Sequence, residues 1–320
     1  MTNKRILILD KIHPFILKKL RINGFFCNEK YSESEEEIKK TIFSYNGIIL
    51  KSRLKIDKNF LNKAMNLKFI ARVGSGIENI DQEYAYKKNI KLITSPEGNK
   101  DSVAEHAIGM LLSIMNHICI SNEEIRKGKW NRELNKGKEI KGKTIGIIGY
   151  GNTGKAFAKK ISSFNAKILC YDILPNKGDQ NAIQVDINKI YKESDIISLH
   201  IPYTRNTKGM INENFIKNFK KPFYLINTSR GKCVFIDHLI NAIKYGKILG
   251  ACLDVIDYES NLFENLFRNK KFSKKFYNFL QSKNIILTPH IAGLTKESER
   301  KMANIIVKKI FSIYNSFSYM

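Results

Sequence analysis

The sequence predicts an α/β protein: a Rossmann-type doubly wound parallel sheet, together with a smaller flavodoxin-like α/β domain. Two observations carry that prediction. Short apolar runs alternate with helix-like segments along the whole chain, as they must when each parallel strand is followed by a crossover helix. One of these runs, Thr144 to Ile148, also opens directly onto a glycine turn of the dinucleotide-binding type.

The elements follow in order. Ile6–Leu9, Ile48–Leu50, Phe69–Val73 and Leu92–Thr94 read as strands of a first, small sheet. Ser95-Pro96-Glu97-Gly98 interrupts the pattern, because Pro and Gly punctuate regular structure. A helix from Ser102 follows, and then a larger domain whose later strands are Ile196–Leu199, Phe223–Ile226, Leu249–Leu253 and Ile285–Leu287. Beyond Gly293, Met302, Ile305, Ile306, Ile310 and Ile313 recur at helical spacing, and this last helix is expected to return to the first domain. The expected division is therefore discontinuous: residues 1–97 and 293–320 for substrate binding, residues 98–292 for the dinucleotide. The two crossings read as hinges.

The glycine turn is Gly149-Tyr150-Gly151-Asn152-Thr153-Gly154, with a helix expected over Lys155 to Ser162. In such a turn the first glycine permits the sharp bend, the second lets the backbone approach a pyrophosphate, and the third lets helix and strand pack closely. The phosphates then meet the positive end of the helix. A bare G-x-G-x-x-G is weak evidence. Here a second strand, Lys167 to Tyr171, ends in Asp172, 18 residues past Gly154. A carboxylate there accepts from ribose hydroxyls and repels a 2′-phosphate, so the expected cofactor is NAD and not NADP.

Three residues of the second half suit the chemistry of a keto acid. Arg230 closes Asn227-Thr228-Ser229-Arg230-Gly231 after an apolar run, Glu259 follows Leu253-Asp254-Val255, and His290 ends Leu287-Thr288-Pro289-His290. Each lies where a buried strand runs out, the edge at which open α/β sheets bind ligands. An arginine fork can hold a carboxylate and polarise a ketone. A histidine titrating near neutrality can give a proton to the alkoxide, and a neighbouring carboxylate would orient it. Singly, an Arg, Glu or His at a strand end is usually solvated or structural. The three gain weight from the turn upstream.

With these motifs the chain resembles the D-isomer-specific 2-hydroxyacid dehydrogenases, most of all the short-form D-3-phosphoglycerate dehydrogenases. The resemblance runs through Arg72 to Asp81, Ser95 to Asn99, Val103-Ala104-Glu105-His106, the glycine turn, His200-Ile201-Pro202, Asn227 to Gly231, Gly250 to Val255, and Thr288 to Gly293. It implies that Arg230 binds the substrate carboxyl and carbonyl, that His290 is the proton donor, and that Glu259 pairs with His290. It implies further that Asp254 holds the nicotinamide carboxamide. Asn152, Thr153, Asp172, His200, Pro202, Thr207, Thr228, Ser229 and Gly293 would line the rest of the dinucleotide. The implied reaction is NAD-dependent oxidation of D-3-phosphoglycerate, the first step of serine synthesis. Two departures stand out. Ser260-Asn261 follow Glu259 where the family usually has Pro, and Glu264 to Lys283 is longer and more basic than the usual connection. The sequence ends about thirty residues after His290, so feedback through the C-terminal domain of longer relatives is not expected.

For the substrate, Lys51-Ser52-Arg53 after the strand Ile48–Leu50 offers two cations two residues apart, able to converge on a phosphate. In a lysine-rich chain the same triplet is equally a solvated loop. Ser75 and Gly76 could offer backbone N–H groups to the substrate carboxylate, and Asn99 sits at the hinge. Trp130 and Arg132 lie in a polar connection that, by the resemblance, belongs to an arm wrapping a second subunit, implying a homodimer or higher homo-oligomer.

Composition bounds the alternatives. With 55 Lys+Arg against 30 Asp+Glu, the net charge is +25. Such a field can attract nucleic acid, but the lysines are spread over most helical segments and form no patch interleaved with aromatics. Lys, Asn and Ile are abundant together, which fits A/T-rich codons. Five scattered cysteines show no paired spacing, so neither a disulfide framework nor a metal site is expected, and a reducing cytoplasm fits. No signal peptide or membrane span is expected; the longest apolar stretch, Ala107 to Met115, reads as a buried helix. Close alternatives are glyoxylate or hydroxypyruvate reduction. From another class comes an NAD-sensing corepressor-like binding protein, and a third reading is a basic nucleic-acid-binding protein.

Overall fold

The computed structural model of the chain describes residues 4–259 and 273–317. They form two compact units, residues 4–99 with 294–317, and residues 100–259 with 273–293. Ser260, Asn261 and the part of the basic connection over 264–272 lie outside the described residues.

The first unit is built on β1 (Arg5–Ile8), β2 (Phe26–Glu29), β3 (Gly47–Leu50), β4 (Phe69–Arg72) and β5 (Lys91–Ile93). They form one parallel sheet in the order β2-β1-β3-β4-β5. Successive side chains on a strand point to opposite faces, and the core divides accordingly. Ile6, Ile8, Ile49, Phe69 and Ala71 pack on one face with Ile16, Leu20 and the C-terminal helix residues Met302, Ile306 and Ile310. Leu7, Leu9, Ile48, Leu50 and Ile70 pack on the other with Ile38, Phe60, Leu61 and Ile80. Both faces are covered, so the strands read as near-continuous apolar runs. The last helix, Lys296–Phe317, lies on the helix Pro14–Ile22 within this unit. β2 falls outside the predicted strands because it reads Phe-Cys-Asn-Glu and, of these four, only Cys27 is buried.

The second unit carries β6 (Thr144–Ile148), β7 (Lys167–Tyr171), β8 (Ile183–Gln184), β9 (Ile196–Leu199), β10 (Phe223–Asn227), β11 (Ile248–Leu253) and β12 (Ile285–Leu287). All pairings are parallel, in the order β12-β11-β10-β9-β6-β7-β8. The chain starts in the middle at β6, runs outward to β8, then returns beside β6 at β9. The order therefore reverses between β6 and β9, and the crevice beyond their carboxyl ends is where such a sheet binds ligands. The helix Lys100–Met115 is apolar on most sides because it packs on both the helix Asn152–Ile161 and the sheet, with Ala104, Ala107, Leu111 and Met115 fully buried. Among the described residues no single helix is long and apolar enough to cross a membrane.

Candidate active site

The dinucleotide turn follows from two glycines, Gly149 and Gly154, at positions where a side chain would collide with backbone. Gly149 has φ +87°, and a Cβ there would lie 2.5 Å from the carbonyl oxygen of His200. A Cβ on Gly154 would lie 2.3 Å from the carbonyl oxygen of Gly149, so helix and strand meet at van der Waals limits. At Gly151 a Cβ would meet nothing within 4 Å, which leaves open space above the backbone where a pyrophosphate can approach. The helix starts at Asn152, three residues earlier than predicted, which places its N-terminus inside the turn. Thr228 Oγ1 is buried with no hydrogen-bond partner among the described residues, a position that a ligand donor or acceptor would satisfy. These features fit a bound dinucleotide.

Several of the predicted cofactor residues also hold one another. Asp172 Oδ2 accepts from the Tyr150 amide at 2.7 Å, and Oδ1 accepts from the Leu174 amide at 2.9 Å. The fully buried Tyr150 donates its hydroxyl to Asp179 Oδ1 at 2.7 Å, and burial together with that carboxylate holds its phenol far above the ordinary range. His200 Nε2 lies 2.9 Å from Ser198 Oγ, and Nδ1 lies 3.1 Å from Thr153 Oγ1. Burial pulls the His200 pKa from 6.5 to about 3, so at neutral pH the ring is uncharged beside the turn. Thr207 Oγ1 donates to the Pro202 carbonyl at 2.7 Å, closing the loop after β9. Asn227, fully buried at the end of β10, accepts from the Ser229 amide and hydroxyl and donates to the Arg230 carbonyl. It shapes the turn that delivers Thr228, Ser229 and Arg230.

β10, β11 and β12 are neighbours in the sheet. Parallel strands all end on one edge, so Arg230 beyond β10, Glu259 beyond β11 and His290 beyond β12 rise from the same side of adjacent strands. Glu259 Oε2 lies 2.7 Å from His290 Nδ1, and Oε1 accepts from the Ile256 amide at 2.6 Å. The carboxylate thus holds the ring through Nδ1. His290 has φ +57°, an uncommon left-handed conformation for this residue. Arg230 Nη1 donates to the Ser229 carbonyl at 2.7 Å.

Asp254, 1% exposed, explains how that conformation is held. Its Oδ1 accepts from the Ile291 amide at 2.8 Å and the Thr288 hydroxyl at 2.6 Å, and its Oδ2 from the Ala292 amide at 2.9 Å. The His290 amide donates to its carbonyl at 2.8 Å. The resemblance implies a place for Asp254 at the nicotinamide; both its oxygens are engaged by the turn 288–292, which ends one residue before Gly293.

In the first unit, Ser75 Oγ donates to Asn99 Oδ1 at 3.1 Å, with Gly76 buried next in the chain. The expected convergence of Lys51 and Arg53 is not what the geometry shows. Arg53 turns its guanidinium to the carbonyls of Leu9 at 3.1 Å, Lys30 at 2.6 Å and Glu33, so it staples the end of β1 to the loop after β2. Lys51 Nζ reaches Glu299 Oε1 at 3.4 Å, and its amide donates to Asp10 Oδ2. Unfilled carbonyls are strong acceptors, and spacing along the loop could not reveal that they compete for the arginine. Among the described residues no group of His, Cys, Asp and Glu could hold a metal ion.

With this geometry in place, comparison with known proteins adds the family. Residues 108–292 match the family model described as D-isomer specific 2-hydroxyacid dehydrogenase, NAD binding domain. The chain is 36% identical over 277 residues to a hydroxypyruvate reductase of Thermotoga maritima, covering 87% of each. It is 31% identical over 312 residues to a D-3-phosphoglycerate dehydrogenase of Archaeoglobus fulgidus, covering 97% of this chain but 57% of that one. Among solved structures, a D-lactate dehydrogenase from Aquifex aeolicus complexed with NAD and lactic acid superposes with a TM-score of 0.84 at 29% identity, over 97% of this chain and 96% of the other.

Proposed function

We propose that this chain, which belongs to the D-isomer-specific 2-hydroxyacid dehydrogenase family, interconverts a D-2-hydroxy acid and its 2-oxo acid with NAD. We further propose D-3-phosphoglycerate and 3-phosphohydroxypyruvate as the substrate pair. The observation that carries the reaction is the 2.7 Å contact between Glu259 and His290 at the sheet edge that also bears Arg230.

Arg230 binds the substrate carboxylate and polarises the C2 oxygen, a task suited to a planar fork. His290 Nε2 takes the hydroxyl proton during oxidation and returns it to the C2 oxygen during reduction. Glu259 receives Nδ1–H and stabilises the imidazolium formed in between. NAD, when bound, supplies the nicotinamide carbon that accepts the hydride from C2. The turn Gly149 to Gly154 would hold its pyrophosphate at the helix N-terminus, Asp172 the adenosine ribose, and Thr228 and Ser229 the inner half. A homodimer through the segment after the helix Lys100–Met115 is part of this reading; Ile118, Ile125, Trp130 and Leu134 are each at least 51% exposed there.

A second substrate reading is favoured by one observation. Because Arg53 is engaged by three carbonyls, an unphosphorylated acid such as hydroxypyruvate or glyoxylate fits without a cation that is already committed. Initial rates of NADH oxidation with 3-phosphohydroxypyruvate, hydroxypyruvate and glyoxylate decide between them. A kcat/KM highest for the phosphorylated acid supports phosphoglycerate oxidation. Equal or higher values for the others assign a hydroxypyruvate or glyoxylate reductase, and no turnover of any 2-oxo acid overturns the reaction itself.

A further inference from the structure

The segment Val103-Ala104-Glu105-His106 has no role in the reaction just described, yet its helix lies against the turn that carries His290. Ser102, His106 and Met110 recur every four residues on Lys100–Met115 and so share one face. Ser102 Oγ donates to the Ala292 carbonyl at 2.6 Å. His106 Nε2 lies 3.0 Å from Thr288 Oγ1, and Met110 Sδ lies 3.9 Å from the same oxygen. One helix face therefore grips both ends of the turn 288–292.

The hydrogen-bond arithmetic fixes the direction of the chain. A threonine hydroxyl has one proton. Thr288 gives it to the buried carboxylate of Asp254 at 2.6 Å, so toward His106 it can only accept. His106 must then carry its proton on Nε2. The Asp254 carboxylate in turn holds the amides of Ile291 and Ala292, with His106 Nε2 itself 3.7 Å from Oδ1. A buried carboxylate is tolerated only when donors saturate it, and His106 completes the set by committing the Thr288 hydroxyl to it.

We propose that His106 is a positioning residue: through its Nε2–H, the Thr288 hydroxyl and Asp254, it holds the 288–292 turn in the left-handed conformation that aims His290 at the substrate. This rests on the reaction proposed above. His106 touches neither substrate nor cofactor in this scheme. Its effect is on the placement of the proton donor, where an error of about 1 Å can cost about a hundredfold in rate.

The test combines four variants with measurements that need no substrate. His106→Leu and Thr288→Val should each lower kcat about ten- to hundredfold, with little change in substrate KM or in the Kd for NADH read by fluorescence. His106→Gln, which keeps a donor near the Nε2 position, and Thr288→Ser should recover most of the loss. In the wild-type chain, 15N NMR should find His106 in the Nε2–H tautomer. Hydrogen exchange at the Ile291 and Ala292 amides should quicken in both deletions and return in both conservative variants. A wild-type His106 protonated only on Nδ1 overturns the proposal, as does a His106→Leu enzyme with unchanged kcat and unchanged exchange. Should His106→Leu fail to fold, the near-isosteric Thr288→Val carries the same readouts. If the wild type reduces no 2-oxo acid, the reading of the site fails, while tautomer and amide exchange still decide the network.

Discussion

The backbone amide of Tyr150 donates to Asp172 Oδ2 at 2.7 Å. The acid just past the end of β7 is thus tied to the middle of the glycine turn, and the proposed reading sets its charge against the adenosine ribose of a bound dinucleotide. Asp172→Ala should therefore do two things at once. Preference for NAD over NADP should shrink, because the like-charge repulsion is gone, and kcat/KM for NAD should fall about ten- to hundredfold, since charge-assisted hydrogen bonds contribute ~1.5–3 kcal/mol. Steady-state kinetics with both cofactors check this. A wild-type enzyme that uses both equally would show that Asp172 does not face the ribose.

His290→Ala should lower kcat by about 10²–10⁴ with NADH affinity intact, the usual range for a lost general acid–base. Glu259→Gln is the subtler variant. Its carbonyl oxygen can still accept from the Ile256 amide, but the group then turned to His290 Nδ1 is an NH2 that cannot receive the ring proton. Turnover should drop at least about tenfold. Stopped-flow measurement of hydride transfer separates this from slow product release, and an undiminished transfer rate would remove Glu259 from the relay.

Arg53→Ala should cost stability more than substrate affinity. Three carbonyls lose a charged donor, and an unfolding free energy lower by about 3 kcal/mol is the scale for such a loss. KM should change alike for phosphorylated and unphosphorylated acids. Lys51→Ala should instead raise KM for 3-phosphohydroxypyruvate about tenfold, with hydroxypyruvate little affected. Denaturant titration and a two-substrate comparison test both. A selective KM effect in Arg53→Ala would return the guanidinium to a phosphate site.

His200 makes a prediction in pH. Its folded pKa, about 3, lies below the ordinary 6.5 because burial disfavours the charged ring. Between those values the unfolded chain binds the proton that the folded chain refuses. Stability contributed by neutral His200 is complete above pH 6.5 and drains away as pH falls toward 3, by at most ~1.4 kcal/mol per pH unit. Urea titrations at pH 6.5 and 4.5 should show the wild type losing more stability over that interval than His200→Asn, which cannot be protonated. Equal losses would mean that the ring reaches water.

Much of the fold and of the site is legible in the amino-acid sequence. Most strands of both sheets are apolar runs rich in Ile and Leu because both faces are covered, and the residues just past them fall on one sheet edge by geometry alone. That is why Arg230, Glu259 and His290 can be named from their positions after apolar runs, and why Gly149, Gly151 and Gly154 read correctly as a turn. β8 is not legible: two residues, Ile183 and Gln184, carry no periodicity. The helix Asn152–Ile161 begins before its expected start because Asn-Thr-Gly resembles a loop, although the strand before it demands an immediate turn into a helix.

The sequence by itself determined the order of elements, the two sheets and the chemistry available at their edge, since these depend on periods of two and 3.6 residues and on short fixed spacings. Only the tertiary structure decided where the polar atoms are spent. Arg53 serves carbonyls 20 to 44 residues away, Asp254 gathers amides 37 and 38 residues on, and His106 meets Thr288 across 182 residues. A side chain's partner is set by which donors and acceptors the packed chain leaves unfilled beside it. That accounting closes only when strand order and helix placement are in place.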